Sequence, residues 1–197
     1  MTSSRTACDT GDFAILVLED GRHFRGRSFG SHGTTFGEAV FSTGMSGYQE
    51  TLTDPSYHRQ VVVATAPHIG NTGWNDEDDE SQQIWVAGYV VRDPARIASN
   101  WRSRRTLDEE LERQGIVGIR DIDTRALTRH LRERGAMRVG ISSEVLDPEV
   151  LLEQVTAQPP MKGANLVDDV TVDSAVVIPA EGERAFTVAA IDLGIKA

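Results

Sequence analysis

Two serines stand where a hydroxyl could do chemistry. Ser46 lies in Gly44-Met45-Ser46-Gly47-Tyr48, and Ser56 lies in Asp54-Pro55-Ser56-Tyr57-His58, with a carboxylate and an imidazole two residues away on either side. A nucleophilic serine needs a general base and an acid that orients that base. The first segment falls one residue short of the G-x-S-x-G elbow, because Tyr48 occupies the place of the last glycine. The second has suitable residue types, but a triad is assembled by folding and not by local spacing. By turn chemistry alone, Ser56 reads first as a residue that stabilises its own turn. Neither serine sits in the elbow context of a hydrolase, so the pattern points to a binding loop without a catalytic set.

Other chemistries find less support. The histidines His23, His32, His58, His68 and His130 show neither H-x-x-x-H nor H-E-x-x-H spacing, and a single cysteine, Cys8, offers no thiolate pair for zinc. Nothing beside Cys8 (Ala7, Asp9, Thr10) would lower its pKa. Neither G-x-G-x-x-G nor G-x-x-x-x-G-K-[ST] occurs. Asp76-Glu77-Asp78-Asp79-Glu80 starts like a calcium loop, but Ser81 replaces the required glycine and Ala87 the required glutamate. It reads as a solvated acidic loop or a helix start.

The loop that carries both serines must be held by its neighbours. It lies between the apolar runs Ala39-Val40-Phe41 and Val61-Val62-Val63, and loops fixed between buried strands are where binding groups usually sit. Before it, Phe13 to Leu18 and His23 to Arg27 flank Asp20-Gly21, a strong hairpin signal. Gly30, Gly33 and Gly37 read as a loop, and Glu38 to Thr43 as the third strand. Tyr48 to Thr53 suits a short helix, and Pro55 forces Asp54 into extended backbone, so a tight turn follows. Gln60 to Ala66 and Ile84 to Val91 read as buried strands.

Further on, Thr106-Leu107-Asp108-Glu109 matches a capping box, and Leu107 with Leu111 begins a short helix closed by Gly115. Ile116 to Ile119 is a brief strand. Asp123 or Thr124 caps a second helix with Leu127 and Leu131 on its apolar face, ending at Gly135. Its other faces carry Arg125, Arg129, His130, Arg132 and Arg134. These are either an ordinary solvated face or a docking surface for an acidic partner. Val139 to Ser142 is a strand, and Asp147-Pro148-Glu149 starts a third helix.

Composition sets the frame. With 197 residues there is room for one sizeable domain, or for one domain and the beginning of another. A net charge of -10 opposes binding to nucleic acid and to anionic membranes, and no stretch approaches the roughly 18 apolar residues of a membrane span. Residues 1–12 read as a disordered tail without a secretory signal, and the lone cysteine fits a reducing, cytoplasmic setting. Residues 13–160 then form the main domain. Residues 161–184 are irregular and end in the linker-like Pro179-Ala180-Glu181-Gly182-Glu183-Arg184. Residues 185–197 open with Phe186 to Asp192, which reads as the first strand of a second α/β domain.

Several of these stretches resemble the small, glutamine-hydrolysing subunit of carbamoyl phosphate synthetase. The resemblance is carried by Thr43 to Glu50, Leu52 to Tyr57, Pro67-His68-Ile69-Gly70-Asn71, Ala98-Ser99-Asn100-Trp101, Asp121 to Arg129, and Ile191-Asp192-Leu193-Gly194-Ile195-Lys196. It implies an α/β fold: a layered β/β/α amino-terminal domain with mixed strands and about three short helices, followed by the first strand of a missing class I glutamine amidotransferase domain. It implies a large-subunit partner that uses ATP and magnesium, L-glutamine as the substrate, and no cofactor on this segment. The family's Cys-His-Glu catalytic set has no counterpart among these residues, Cys8 included. One position carries over: the serine of the Asp-Pro-Ser-Tyr motif, here Ser56, is implied to hold the substrate glutamine. Arg125, Arg129 and Arg132 are the candidates for docking the large subunit. A stand-alone, non-catalytic interaction module is the alternative.

Overall fold

The computed structural model describes residues 13–196; the expected tail at 1–12, with Cys8, lies outside the described residues. The chain opens with a hairpin of β1 (Phe13–Leu18) and β2 (His23–Gly30). Its turn uses Gly21 at φ 86° and closes with Arg22 N–H donating to Asp20 Oδ1 at 3.1 Å. Next come β3 (Thr34–Ser42), α1 (Tyr48–Thr53), a single 3-10 turn at Pro55–Tyr57, and β4 (Gln60–Ala64). The two-residue strands β5 (His68–Ile69) and β7 (Asp93–Pro94) pair with each other, on either side of β6 (Gly88–Val90). Then follow α2 (Leu107–Arg113), β8 (Val117–Arg120), α3 (Thr124–Arg134), β9 (Met137–Ser142), α4 (Pro148–Ala157) and the short α5 (Val167–Val170).

The architecture is mixed α/β with few, short helices, but the expected β layers are not separate sheets. The seven longer strands form one closed barrel in the order β1-β2-β8-β6-β4-β3-β9, with β9 returning to β1. Neighbours from β3 through β4 and β6 to β8 are parallel, and the other pairs are antiparallel. Closure leaves the barrel itself without a free strand edge.

Alternation within the strands explains how both faces are buried. In β1, Ala14, Leu16 and Leu18 join the barrel interior, while Ile15 and Val17 face outward onto Leu151 and Val155 of α4. In β4, Val61 and Val63 point inward, and Val62 and Ala64 belong to an outer cluster with Tyr48 and Leu52 of α1 and Leu107 and Leu111 of α2. Continuous apolar runs are what such doubly covered strands require. α3 behaves differently. Its Leu127 and Leu131 join the interior cluster, so this helix lies across one mouth of the barrel, between the end of β8 and the start of β9. That mouth is where the parallel strands have their carboxyl ends.

Three expectations need correction. The third strand starts at Thr34, so Gly37 is not in a loop but in β3. A Cβ there would stand 2.6 Å from the Arg59 carbonyl oxygen, so the glycine marks a close approach of backbones and not a turn. Ile84 to Val91 yields a strand at Gly88–Val90 alone. Phe186 to Asp192 forms no strand, with Phe186 88% and Ile191 85% exposed. An apolar run becomes a strand only with a partner for its backbone groups, and the closed barrel has no free edge to offer.

The acidic run is also not a free, solvated loop. Arg102 reaches Glu77 and Asp78 at 2.9 and 2.7 Å, Arg105 reaches Asp76 at 2.9 Å, and Gln49 Nε2 donates to Asp79 Oδ1 at 2.8 Å. Beneath it, the fully buried Glu110 accepts from Arg105, Arg113 and Gln114. Burial would raise the Glu110 carboxyl, but these donors outweigh it and hold it below its ordinary range.

Candidate functional site

The Ser56 turn is built by its neighbours in sequence. Helix α1 stops at Asp54, whose φ of -80° and ψ of 117° are the extended backbone that a following proline demands. Asp54 then caps the 3-10 turn: its Oδ1 accepts from the Ser56 N–H at 2.9 Å, and its carbonyl accepts from Tyr57 N–H at 3.0 Å. Pro55 supplies a fixed φ at the first position. Ser56 itself is exposed at the tip.

A residue far away in sequence completes the arrangement. Lys196 Nζ donates to Asp54 Oδ2 at 2.8 Å and lies 3.8 Å from Glu80 Oε2. Burial alone would raise the Asp54 carboxyl, yet the Lys196 ammonium and the hydrogen bonds from Ser56 hold it below the usual carboxylate range. In return, the Asp54 carboxylate raises the Lys196 ammonium. The segment carrying Lys196 is shaped by Asp192, which accepts from the backbone N–H groups of Val172, Gly194 and Ile195 at 2.8, 2.8 and 2.7 Å.

Beside the turn is an open groove of 330 Å³, lined by Ser56 and His58 on one side and by Met161, Leu166, Val170 and Leu193 on the other. The His58 ring stands edge-on to Trp85 at 5.5 Å between centroids, and its Nε2 lies 3.2 Å from Asp169 Oδ2. Arg59, held at φ 60°, reaches the same oxygen at 3.1 Å. Asp169 thus ties the segment around α5 to both residues that follow Tyr57.

This geometry decides against the local hydrolase reading of Ser56. Asp54 spends its oxygens on Ser56 N–H and Lys196, and His58, which has Asp169 as its acid, makes no hydrogen bond to the Ser56 hydroxyl, so no Asp–His–Ser relay is formed among the described residues. His68 and His130 are likewise held by Asp93 and Asp20. Ser46 lies exposed in the 43–47 loop, ahead of Gly47 at φ 75°. What the Ser56 site offers is a hydroxyl on a braced turn, beside an ammonium and a carboxylate. Such a set can hydrogen-bond a charged small molecule, and charge-assisted bonds are the stronger ones.

Arg125, Arg129 and Arg132 stand at i, i+4 and i+7 of α3, all exposed on one stripe, and none has an ion pair among the described residues. Asp123, and not Thr124, is the cap, accepting from Ala126 N–H at 2.9 Å. The sequence placed Ser56 and these arginines on the right local elements, but it gave no role to Lys196. Nothing within a few residues of Lys196 signals its contact with Asp54; only the fold brings them together.

Comparison with known proteins gives the chain's family. Residues 16–141 match the family model described as carbamoyl-phosphate synthase small chain, CPSase domain. A carbamoyl phosphate synthase small chain of Streptomyces avermitilis is 68% identical over 197 residues, covering 99% of this chain and 51% of the relative. That of Mycobacterium leprae is 62% identical over 190 residues, with 93% and 51% covered, and that of Corynebacterium efficiens 62% over 188 residues, with 93% and 47% covered. The chain therefore spans about half the length of the relatives it matches. The family model covers the second half of β1 through most of β9, and the relatives' matches run on past the barrel, so this chain belongs to the carbamoyl-phosphate synthase small chain family.

Proposed function

We propose that this chain is the amino-terminal part of the small subunit of a cytoplasmic, glutamine-dependent carbamoyl phosphate synthetase, a ligase. In the complete protein the small subunit hydrolyses glutamine and passes ammonia to a large subunit. The large subunit, with ATP and magnesium, makes carbamoyl phosphate for arginine and pyrimidine synthesis. On this reading the Cys-His-Glu set lies outside these 197 residues, and the chain alone does not hydrolyse glutamine. Residues 13–160 are the amino-terminal domain, 161–184 the linker, and 185–197 the start of the amidotransferase domain. No cofactor binds this segment.

The part given to this segment is one wall of the glutamine cleft. The observation that carries it is the exposed Ser56 on a turn braced from two sides, by Asp54 at the cap and by Lys196 on Asp54. A hydroxyl held this way bonds the charged ends of glutamine without an ordering cost at each turnover. In the complete small subunit paired with its partner, Ser56→Ala raises the KM for glutamine about 10-fold or more, while synthesis from free ammonia is unchanged. An unaltered glutamine KM would reject the role.

The chain's second task is to help dock the large subunit, with the unpaired stripe Arg125, Arg129 and Arg132 as the contact. Charge reversal at Arg129 and Arg132 weakens subunit association, measured by sedimentation. The alternative, a stand-alone module without catalysis, is favoured only if the native protein carries no amidotransferase domain.

A further inference from the structure

Three large apolar side chains lie bare on the loops that leave the carboxyl ends of the parallel strands: Trp101 is 92% exposed, Met45 91% and Ile97 76%. They are not scattered. Ala95 N–H donates to the Ile69 carbonyl at 2.7 Å and Ser99 N–H to the Asn71 carbonyl at 2.9 Å, which fixes the 92–101 loop on the 68–74 loop. Tyr48 O–H donates to the Gly73 carbonyl at 2.5 Å, which fixes the start of α1, just after Met45, to the same place. On the other side, Asp121 N–H donates to the Arg92 carbonyl at 3.0 Å, so the band continues to the beginning of α3. The loops are rigidly joined, yet their largest apolar groups face water. Aromatic residues, methionine and arginine are the types that anchor interfaces.

The charges on this band are unbalanced. Arg92 and Arg96 are exposed and have no ion pair among the described residues, as with the α3 arginines. Most acids nearby are engaged: Asp93 with His68, Asp20 with His130, and Asp121 with Arg120, while Asp123 caps α3; Glu50, beside Gly47 on α1, and Glu133 have no ion pair among the described residues. In a chain of net charge -10, a band with more unpaired arginines than unpaired acids favours a partner with an acidic surface. A second copy is a poor match, because the acidic run at 76–80 that it could offer is held by its own Arg102 and Arg105.

We propose that this band is a docking surface for an acidic partner protein, with Trp101, Ile97 and Met45 as apolar anchors and Arg92 and Arg96 as steering charges. The inference rests on the proposed function, in which that partner is the large subunit, and it names the face by which the partner is held. The α3 stripe then forms one margin of the surface.

The test uses the complete small subunit and the large subunit, purified separately and mixed, with binding followed by surface kinetics at low and high salt and by sedimentation. Trp101→Ala combined with Ile97→Ser raises Kd about 10- to 100-fold, through faster dissociation. Arg92→Glu with Arg96→Glu slows association about 10-fold at low salt, and the difference shrinks as salt screens it. Glu153→Arg, exposed on α4, stays within about twofold as the control. Trp101→Tyr restores most of the affinity lost by Trp101→Ala, and circular dichroism confirms that each variant is folded. If the wild-type pair associates and both variants bind as tightly, the surface is wrong and the docking reading survives. If the wild-type pair does not associate, the docking reading itself falls and takes this surface with it. Loss of small-subunit self-association, with large-subunit binding intact, would make the occupant a second copy and overturn the proposal.

Discussion

The barrel and the segment from 161 to 196 are held by different forces. In the barrel, Val61 to Val63 and Ile15 to Leu18 are essentially inaccessible, covered inside by each other and outside by α1, α2 and α4. In the later segment, Val176 to Ile178, Phe186, Val188 and Ile191 are just as apolar and remain exposed. That segment is attached largely by polar contacts: Asp169 to His58 and Arg59, and Lys196 to Asp54. Apolar content alone does not bury a strand; a backbone partner on each side does. A polar attachment is also the weaker and more condition-dependent of the two, because water competes for every bond.

The contrast can be broken or sharpened by mutation, beginning with the barrel interior. Leu16→Ala removes a fully buried side chain from the central cluster and costs about 3 kcal/mol in denaturant unfolding. A loss below about 1 kcal/mol would mean that the interior is not close-packed. Glu110→Ala leaves Arg105 and Arg113 without their shared carboxylate and costs about 2 kcal/mol, part of it recovered by Glu110→Gln, which still accepts hydrogen bonds.

Asp54→Asn is expected to cost only about 1 kcal/mol globally, since Lys196 is half exposed. Its main effect is local: hydrogen exchange at 192–196 and at Ser56 quickens while the barrel stays protected. The same contact has a pH window. The Asp54 carboxyl is depressed in the folded chain, so its contribution is full above the ordinary carboxylate pKa and is lost as pH falls through the depressed value. The Lys196 ammonium is raised, so its share is full below the ordinary lysine pKa and is lost as pH rises through the raised value. The protection factor at 192–196, with the intrinsic rise of exchange with pH divided out, should therefore hold between those limits and fall outside them. Smallest of all, Phe186→Ser changes the unfolding free energy by less than about 0.5 kcal/mol, because nothing covers that ring.

Much of the local structure was legible in the residues. The Asp20-Gly21 turn, the capping box at Thr106 with Glu109, and the Asp54 cap with Pro55 at the first position all depend on groups within three or four residues of each other. So does the placing of Ser56 at the tip of a stiffened turn, and of Arg125, Arg129 and Arg132 on one helical stripe.

The rest depended on which distant segments met. Gly37 reads as a loop residue until Arg59 is seen beside it, and Phe186 to Ile191 reads as a strand until the barrel is seen to be closed. The acidic run reads as solvated until Arg102 and Arg105 are brought against it from a loop some 25 residues later. The brace on Ser56 joins Lys196 to Asp54 across 142 residues, and the bare band of Met45, Ile97 and Trp101 exists only because three separate loops are pinned together. Sequence determined the turns, caps and faces, whose energies are local. Tertiary structure decided closure, exposure and the partners of charges, because those follow from pairing between segments that no local pattern specifies.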